Sequence, residues 1–183
     1  MESLVIGLTG YSGSGKTTFY NVASKRYNIS TLSTGDIVRA ELQKRSLERN
    51  IDNVKTVIDW IYARGGFLAM LSKQITGALD ADSCVIIDSI KTMRDFKEFS
   101  DLYKKRVLIG IIAEDQVRRN RITARKRVGV PASGENFRKL IKFENELGVG
   151  EVLSHAGYTI INNSTLEKFQ DKSLFMLSKI LGR

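Results

Sequence analysis

The amino-acid sequence predicts an α/β fold of three layers, in which helices cover both faces of a five-stranded parallel sheet. Two observations predict it: short apolar runs recur along the chain, and longer segments with helical patterns separate them. Continuous apolar strands that alternate with helices are typical of a parallel sheet buried on both faces. No internal repeat or Gly/Ser-rich linker divides the 183 residues, so we expect a single domain spanning residues 1–183.

Five short apolar segments are the candidate strands of this sheet. The first leads directly into a glycine-rich turn, and the second is the weakest of the set. The candidate strands are Leu4–Leu8, Ile29–Leu32, Cys84–Ile87, Val107–Ile112 and Tyr158–Ile161.

Helical patterns fill the intervals between these strands. The long pattern over residues 52–80 should break near Gly65-Gly66. The last helix places its apolar residues on one face, which suits packing against the sheet. The predicted helices are residues 15–27, 35–48, 52–80, 93–104, 114–127, 134–147 and 165–181.

The turn after the first strand fits the phosphate-binding pattern G-x-x-x-x-G-K-[ST]. Glycines let successive backbone N–H groups curl around a phosphate, and the following helix points its positive end at the same anion. Lys16 can reach the β- and γ-phosphates, and the Thr17 hydroxyl can ligate Mg²⁺. A chance glycine-rich turn is the weaker reading, since every fixed position is filled. The sequence therefore predicts ATP or GTP binding by Gly10, Tyr11, Ser12, Gly13, Ser14, Gly15, Lys16, Thr17 and Thr18.

A second motif, Ser33–Arg39, lies about twenty residues further on, between the second strand and a helix. Gly35 permits a tight entry into the helix, Thr34 or Asp36 can cap it, and Arg39 lies one turn inside, able to grip a phosphate. The plainer alternative is that Asp36 is only a helix cap. Because the motif follows a complete phosphate loop, we expect Thr34, Gly35, Asp36 and Arg39 to bind a phosphate acceptor.

Asp88 ends the third candidate strand, and Lys91 follows three residues later. A carboxylate at this place can order Mg²⁺ through water, together with Thr17, or orient the acceptor. Lys91 adds a positive charge for an acceptor phosphate. The alternative for Asp88 is a cap for the next turn.

A basic run follows the fourth strand. Nine basic and two acidic residues lie between Lys104 and Arg127. Arg118, Arg121 and Arg125 share one helix face, as in a lid that closes over a phosphoryl group. A solvated helix face and a nucleic-acid-binding stripe are the alternatives. The stripe is not favoured, because aromatic interleaving and helix-turn-helix signals are lacking near these arginines.

With these residues in place, the chain resembles the P-loop nucleoside-monophosphate-kinase superfamily, and looks closest to an archaeal family related to adenylate kinase and dephospho-CoA kinase. The resemblance covers nearly the whole chain and is carried by Gly10–Thr17, Ser33–Arg39, Asp88 with its following turn, the arginine run, Gly148–Leu153 and Tyr158–Asn163. It implies a P-loop NTPase fold of the nucleotide-kinase type, with an acceptor-binding helical insertion over residues 35–80 and an Arg-rich lid over residues 115–135. It also implies that Arg118 and Asn162 contact ATP. The chain departs from the family where it has Lys91 in place of an expected arginine.

These patterns together favour an ATP- and Mg²⁺-dependent small-molecule kinase that transfers the γ-phosphate to a nucleoside monophosphate. We expect Lys16, Asp36, Asp88, Arg121 and Arg125 to be its catalytic residues. The alternatives are dephospho-CoA kinase-like activity, or a nucleotide-dependent binding or assembly factor with weak ATPase activity and an RNA or ribosomal partner.

Composition and charge narrow the possible partners and binding sites further. The net charge of +9 suits a phosphorylated partner. One cysteine and one histidine exclude an internal disulfide and a Cys/His zinc site. The apolar runs are too short to span a bilayer, and the N-terminus lacks the features of a signal peptide, so we expect a cytoplasmic monomer or homodimer with no membrane partner.

Overall fold

The computed structural model describes residues 3–81, 84–124 and 134–182. All five predicted strands form and pair in parallel in one sheet of order β2-β3-β1-β4-β5. The strands are β1 (Leu4–Thr9), β2 (Ser30–Ser33), β3 (Cys84–Asp88), β4 (Lys105–Ile112) and β5 (Tyr158–Ile161).

In the described part of the chain, helices connect the strands and one follows the last strand. They are α1 (Lys16–Tyr27), α2 (Thr34–Lys44), α3 (Ile51–Tyr62), α4 (Gly66–Ala81), α5 (Met93–Ser100), α6 (Asp115–Ala124), α7 (Gly134–Leu147), α8 (Val149–Ser154) and α9 (Leu166–Leu181). Among the described residues, no helix has both the length and the apolar character needed to cross a membrane.

The sheet separates two hydrophobic clusters, as the alternation of side chains along a strand requires. Val5, Val85 and Ile87 pack with α2, α3, α4 and α5 in one cluster. Ile6 and Ile86, their neighbours along the same strands, pack with α1 and α9 in the other. This arrangement confirms the predicted three-layer α/β fold with a five-stranded parallel sheet.

The structure confirms one local expectation and corrects another. The predicted break in the 52–80 helix is confirmed, since Gly65 and Gly66 have φ values of +96° and +79° between α3 and α4. Neither Thr34 nor Asp36 caps α2, however, because the N-cap residue is Ser33 and it makes no side-chain cap hydrogen bond. Thr34 is buried, and its hydroxyl donates to the carbonyl oxygens of Ser89 (2.9 Å) and Asp88 (3.4 Å).

The short helix α8 has no counterpart among the predicted helices. Gly148 precedes it in a left-handed conformation, and the buried Val149 and Val152 lie on its inner side. The predicted lid is described only up to Ala124, where α6 ends, and again from Gly134, where α7 begins. The predicted lid residue Arg125 lies outside the described residues.

Candidate active site

The phosphate-binding loop lies at the carboxyl edge of the sheet, where parallel α/β folds bind their ligands. It joins β1 to α1, and its glycines are required by both conformation and packing. Gly10 and Gly15 have φ values of +139° and +116°. A Cβ atom at Gly10 would lie 2.3 Å from the Ile111 carbonyl oxygen, and one at Gly15 would lie 2.3 Å from Asn162 Nδ2. The loop is therefore a tight cradle of backbone groups that any larger side chain at these positions would disrupt.

Lys16 is the first residue of α1, and its side chain is buried beneath the loop. Its ammonium group donates to the carbonyl oxygens of Gly10 (2.6 Å) and Tyr11 (3.3 Å). Burial, together with the positive charge of Lys91, lowers its pKa to about 8, although Asp88 partly opposes this shift. The lysine therefore remains mostly protonated at neutral pH, held at the site where the motif requires a cation.

Asp88 ends β3 beside Lys16, and it is buried. One carboxylate oxygen accepts a hydrogen bond from the Ser89 hydroxyl (3.1 Å). The other, Oδ1, is buried and has no hydrogen-bond partner among the described residues. Burial raises the pKa of this carboxyl group, while the charge of Lys16 acts in the opposite direction. A buried carboxylate oxygen without a partner calls for an explanation, and a bound ion is one.

Thr17 and Asp88 both line the cavity beside the loop, and they fit the few protein ligands that Mg²⁺ uses in phosphate sites. Among the described residues there is no cluster of three or more His, Cys, Asp or Glu side chains that could hold a metal ion. Bound Mg²⁺ would therefore depend on phosphate oxygens as well as on Thr17 and the unpartnered oxygen of Asp88.

The cavity, of about 230 Å³, extends from the phosphate loop into the space between α2, α3 and α7. Its polar end includes Lys16, Thr17, Asp88 and Lys91. Its other walls are largely apolar, formed by Val38, Ile51, Val54, Ile58, Phe67, Leu140, Phe143 and Leu147. The space beside the loop therefore offers both charged and apolar surfaces to a second molecule.

The residues of the Ser33–Arg39 motif are divided between the cavity and the surface. Thr34, Gly35 and Arg39 line the cavity. Asp36 is exposed, its carboxylate accepts a hydrogen bond from the Arg39 guanidinium, and it is not among the lining residues. The arrangement thus brings the motif's threonine, glycine and arginine to the cavity, while the aspartate is placed to orient the arginine.

Arg118 and Arg121 of α6 both bind the backbone of the phosphate loop. The buried Arg118 guanidinium donates to the Ser12 carbonyl oxygen (3.4 Å) and forms an ion pair with Asp115 (2.5 Å). Arg121 donates to the Gly13 carbonyl oxygen (3.4 Å). The two arginines share one helix face, as the sequence predicts, and that face lies against the loop.

Asn162 follows β5 and is buried against the loop. Its amide nitrogen donates to the Ser14 carbonyl oxygen (2.7 Å), and its oxygen accepts a hydrogen bond from Arg121 (3.1 Å). These contacts make Asn162 a support for the loop backbone. Thr18, one residue beyond the magnesium-binding position, is half-buried on α1 and does not line the cavity.

Sequence reasoning did not select Glu144 of α7, which is the most highly connected carboxylate of the site. It is 2% exposed and accepts hydrogen bonds from the Ser12 backbone N–H (2.9 Å), the Ser12 hydroxyl (2.8 Å) and the Lys91 ammonium (2.5 Å). Burial raises its pKa, but Lys91, Lys16 and the Ser12 hydrogen bonds together outweigh burial and lower it. The sequence does contain a pattern that points to Glu144. It continues the helical spacing of Phe137, Leu140 and Leu147, so a charged residue lies on an apolar helix face.

Comparisons with known proteins identify the family and the fold. A family model described as an AAA domain matches residues 9–138, which include the phosphate loop. A UPF0200 protein from Methanococcus vannielii is 32% identical and covers 97% of this chain and 96% of its own length. A UPF0200 protein from Pyrococcus horikoshii is 30% identical, with 98% of each chain covered. Shikimate kinase from Bacteroides thetaiotaomicron shares the fold, with a TM-score of 0.59 at 17% identity over 98% of this chain and 99% of that one.

The family match covers more than two thirds of the chain and the archaeal relatives cover nearly all of it. The phosphate loop supplies the nucleotide-binding element that a kinase-like fold requires. The chain therefore belongs to the AAA domain family and to the archaeal UPF0200 proteins, and it is a nucleotide-binding, kinase-like P-loop protein.

Proposed function

We propose that this protein is an ATP- and Mg²⁺-dependent kinase that transfers the γ-phosphate of ATP to a small nucleotide-like acceptor, with nucleoside monophosphates as the first class. The observation that carries the proposal is the cavity. It continues from the phosphate loop into the space between α2, α3 and α7, and its charged and apolar lining there suits a second molecule, whereas a simple hydrolase needs room only for water.

The donor nucleotide would be held by the loop. The backbone N–H groups of residues 10–17 bind phosphate oxygens, and Lys16 adds a positive charge near the β- and γ-phosphates. Thr17 and Asp88 would hold Mg²⁺, which when bound neutralises charge on the phosphate oxygens. Arg118 and Asn162 support the loop from outside, so they fix the direction of its amides.

The acceptor would lie in the space between α2, α3 and α7. The apolar walls suit the flat faces of a nucleobase, and Arg39 with Lys91 suits an acceptor phosphate. An acceptor phosphate oxygen attacks the γ-phosphorus, the bond from this phosphorus to the β–γ bridging oxygen breaks, and ADP leaves with the electron pair. Arg121 would have to leave the Gly13 carbonyl oxygen to join Arg125 in neutralising the charge that develops on the transferred group.

The test is release of ADP from Mg-ATP by the purified protein, alone and with AMP, CMP, UMP, GMP or dephospho-CoA. One nucleoside monophosphate that accelerates release by about a hundredfold or more, and gains one phosphate, would establish the proposal. Acceleration by dephospho-CoA alone would show that the acceptor is dephospho-CoA and not a nucleoside monophosphate.

Uniformly slow release with every acceptor would overturn the kinase proposal. In that case ATP binding together with stimulation of release by RNA, without phosphorylation of the RNA, would identify a nucleotide-dependent binding factor.

A further inference from the structure

Glu144 occupies a position built for an anion. Three donors converge on its carboxylate: the Ser12 backbone N–H, the Ser12 hydroxyl and the Lys91 ammonium. A loop N–H, a hydroxyl and a lysine are also the donor types that phosphate-binding sites use. The Glu144 carboxylate therefore accepts hydrogen bonds from donors that would suit phosphate oxygens equally well.

This position lies between the two halves of the site. Ser12 belongs to the loop that holds the donor nucleotide, and Lys91 belongs to the turn after β3 on the acceptor side. The α- and β-phosphates lie along the loop amides near the start of the following helix. Under the proposed function, the γ-phosphoryl group passes from the loop into the cavity that Ser12, Lys91 and Glu144 all line.

We propose that Glu144 marks the position of the γ-phosphate and is displaced by it, with Lys91 exchanging the carboxylate for the phosphate oxygens. This inference rests on the proposed function, because it assumes that ATP binds at the loop. Glu144 is then a positioning residue: it holds Lys91 and the Ser12 amide in place, and it makes the site distinguish a nucleoside triphosphate from a diphosphate.

The consequence is a specific difference between two ligands. A γ-phosphate must compete with a buried negative charge for the same donors, whereas ADP ends before this position and does not. Neutralising Glu144 should therefore strengthen binding of the triphosphate without changing binding of the diphosphate. If the carboxylate only braced the loop, its loss would weaken both ligands to a similar extent.

The experiment measures dissociation constants by titration calorimetry for Mg-ADP and for a Mg-bound ATP analogue with a non-hydrolysable β–γ bridge. The proteins are the wild type, Glu144→Gln and Glu146→Gln. Glu146 lies on the same helix, is exposed and forms an ion pair with the exposed Lys142 (3.9 Å), so it controls for a general change of charge.

We expect Glu144→Gln to tighten the triphosphate analogue by about tenfold or more and to leave ADP within about twofold, because juxtaposed like charges are strongly unfavourable at buried sites. Glu146→Gln should leave both ligands unchanged. If Glu144→Gln fails to fold, Glu144→Asp, which retracts the charge by one methylene group, should move the ratio of the two affinities in the same direction by a smaller factor.

An unchanged ratio, or a ratio shifted towards ADP, would overturn the inference while leaving the kinase proposal intact. Failure of the wild type to bind either nucleotide would overturn both. Thermal unfolding of each variant identifies a loss of folding that would otherwise imitate weaker binding.

Discussion

Removal of the Lys91 charge should destabilise the protein. It should also reverse the direction in which the Glu144 carboxyl group makes stability change with pH. The substitution Lys91→Met keeps an apolar stem of similar length but leaves Glu144, 2% exposed, without its cation. Breaking a buried ion pair on one side typically costs about 3–5 kcal/mol. Two features place this case lower, at about 2–3 kcal/mol. Lys91 is itself 25% exposed, and the Ser12 N–H and hydroxyl still bind the carboxylate.

The sign of the pH effect follows from the Glu144 carboxyl group. In the wild type its pKa lies below the ordinary value of 4.5, so its contribution to stability is present above pH 4.5 and is lost as the pH falls through the folded-state pKa. Without Lys91, the strongest of the influences that oppose burial is lost, and we expect burial to outweigh Lys16 and the Ser12 hydrogen bonds and to raise this pKa above its ordinary value. In Lys91→Met the folded state then holds its proton more tightly than the unfolded state, so stability falls as the pH rises above 4.5.

The assay is urea unfolding of wild type, Lys91→Met, Glu144→Gln and the double variant between pH 4.5 and pH 7.5, followed by circular dichroism. The free-energy difference between wild type and Lys91→Met should grow with pH. The double variant should recover most of the loss, because it removes both charges. A loss under about 0.5 kcal/mol at pH 7, or a double variant no more stable than Lys91→Met, would refute the argument that the pair is buried and mutually dependent.

Three further outcomes are expected. Lys16→Ala should abolish acceptor-dependent ADP release while the circular dichroism spectrum stays native, and Lys25→Ala, at the exposed end of α1, should leave release unchanged. Gly15→Ala should lower the free energy of unfolding by at least about 2 kcal/mol and abolish ATP binding, because the new Cβ atom would combine a left-handed φ with a contact of 2.3 Å to Asn162 Nδ2. Gly157→Ala is the control, since its Cβ atom would lie 4.0 Å from the Leu108 carbonyl oxygen. Asp88→Asn should raise the Mg²⁺ concentration needed for half-maximal ADP release by about tenfold or more, and native release in the presence of excess EDTA would contradict a metal role.

The sequence predicted those features that depend on neighbours along the chain. The phosphate loop, the five strands and the break at Gly65 each follow from a few consecutive residues whose conformational preferences agree. Thr34 was misjudged as a cap because its partners, the Asp88 and Ser89 carbonyl oxygens, lie more than fifty residues away. Glu144 was missed for the same reason: it meets Ser12 across 132 positions and Lys91 across 53. Local pattern identifies a buried charge on a helix, but only the assembled sheet edge decides which donors surround it.

The backbone of Ser12 connects the helices on either side of residues 125–133. Arg118 of α6 donates to its carbonyl oxygen, and Glu144 of α7 accepts from its N–H. The two helices thus hold two successive peptide groups of the loop, and we expect a ligand that takes the Ser12 N–H to displace Glu144.

The lysine at position 91, where the sequence resemblance led us to expect arginine, suits such an exchange. An arginine would bind the carboxylate through a rigid fork with two parallel hydrogen bonds, and both would have to break together. A lysine is a single charge on a flexible stem, so it can move from Glu144 to a phosphate oxygen by rotation of its own side chain. Lys91→Arg should therefore hold Glu144 more firmly and slow acceptor-dependent ADP release more than it weakens ADP binding. Equal or faster release in this variant would contradict the exchange of partners.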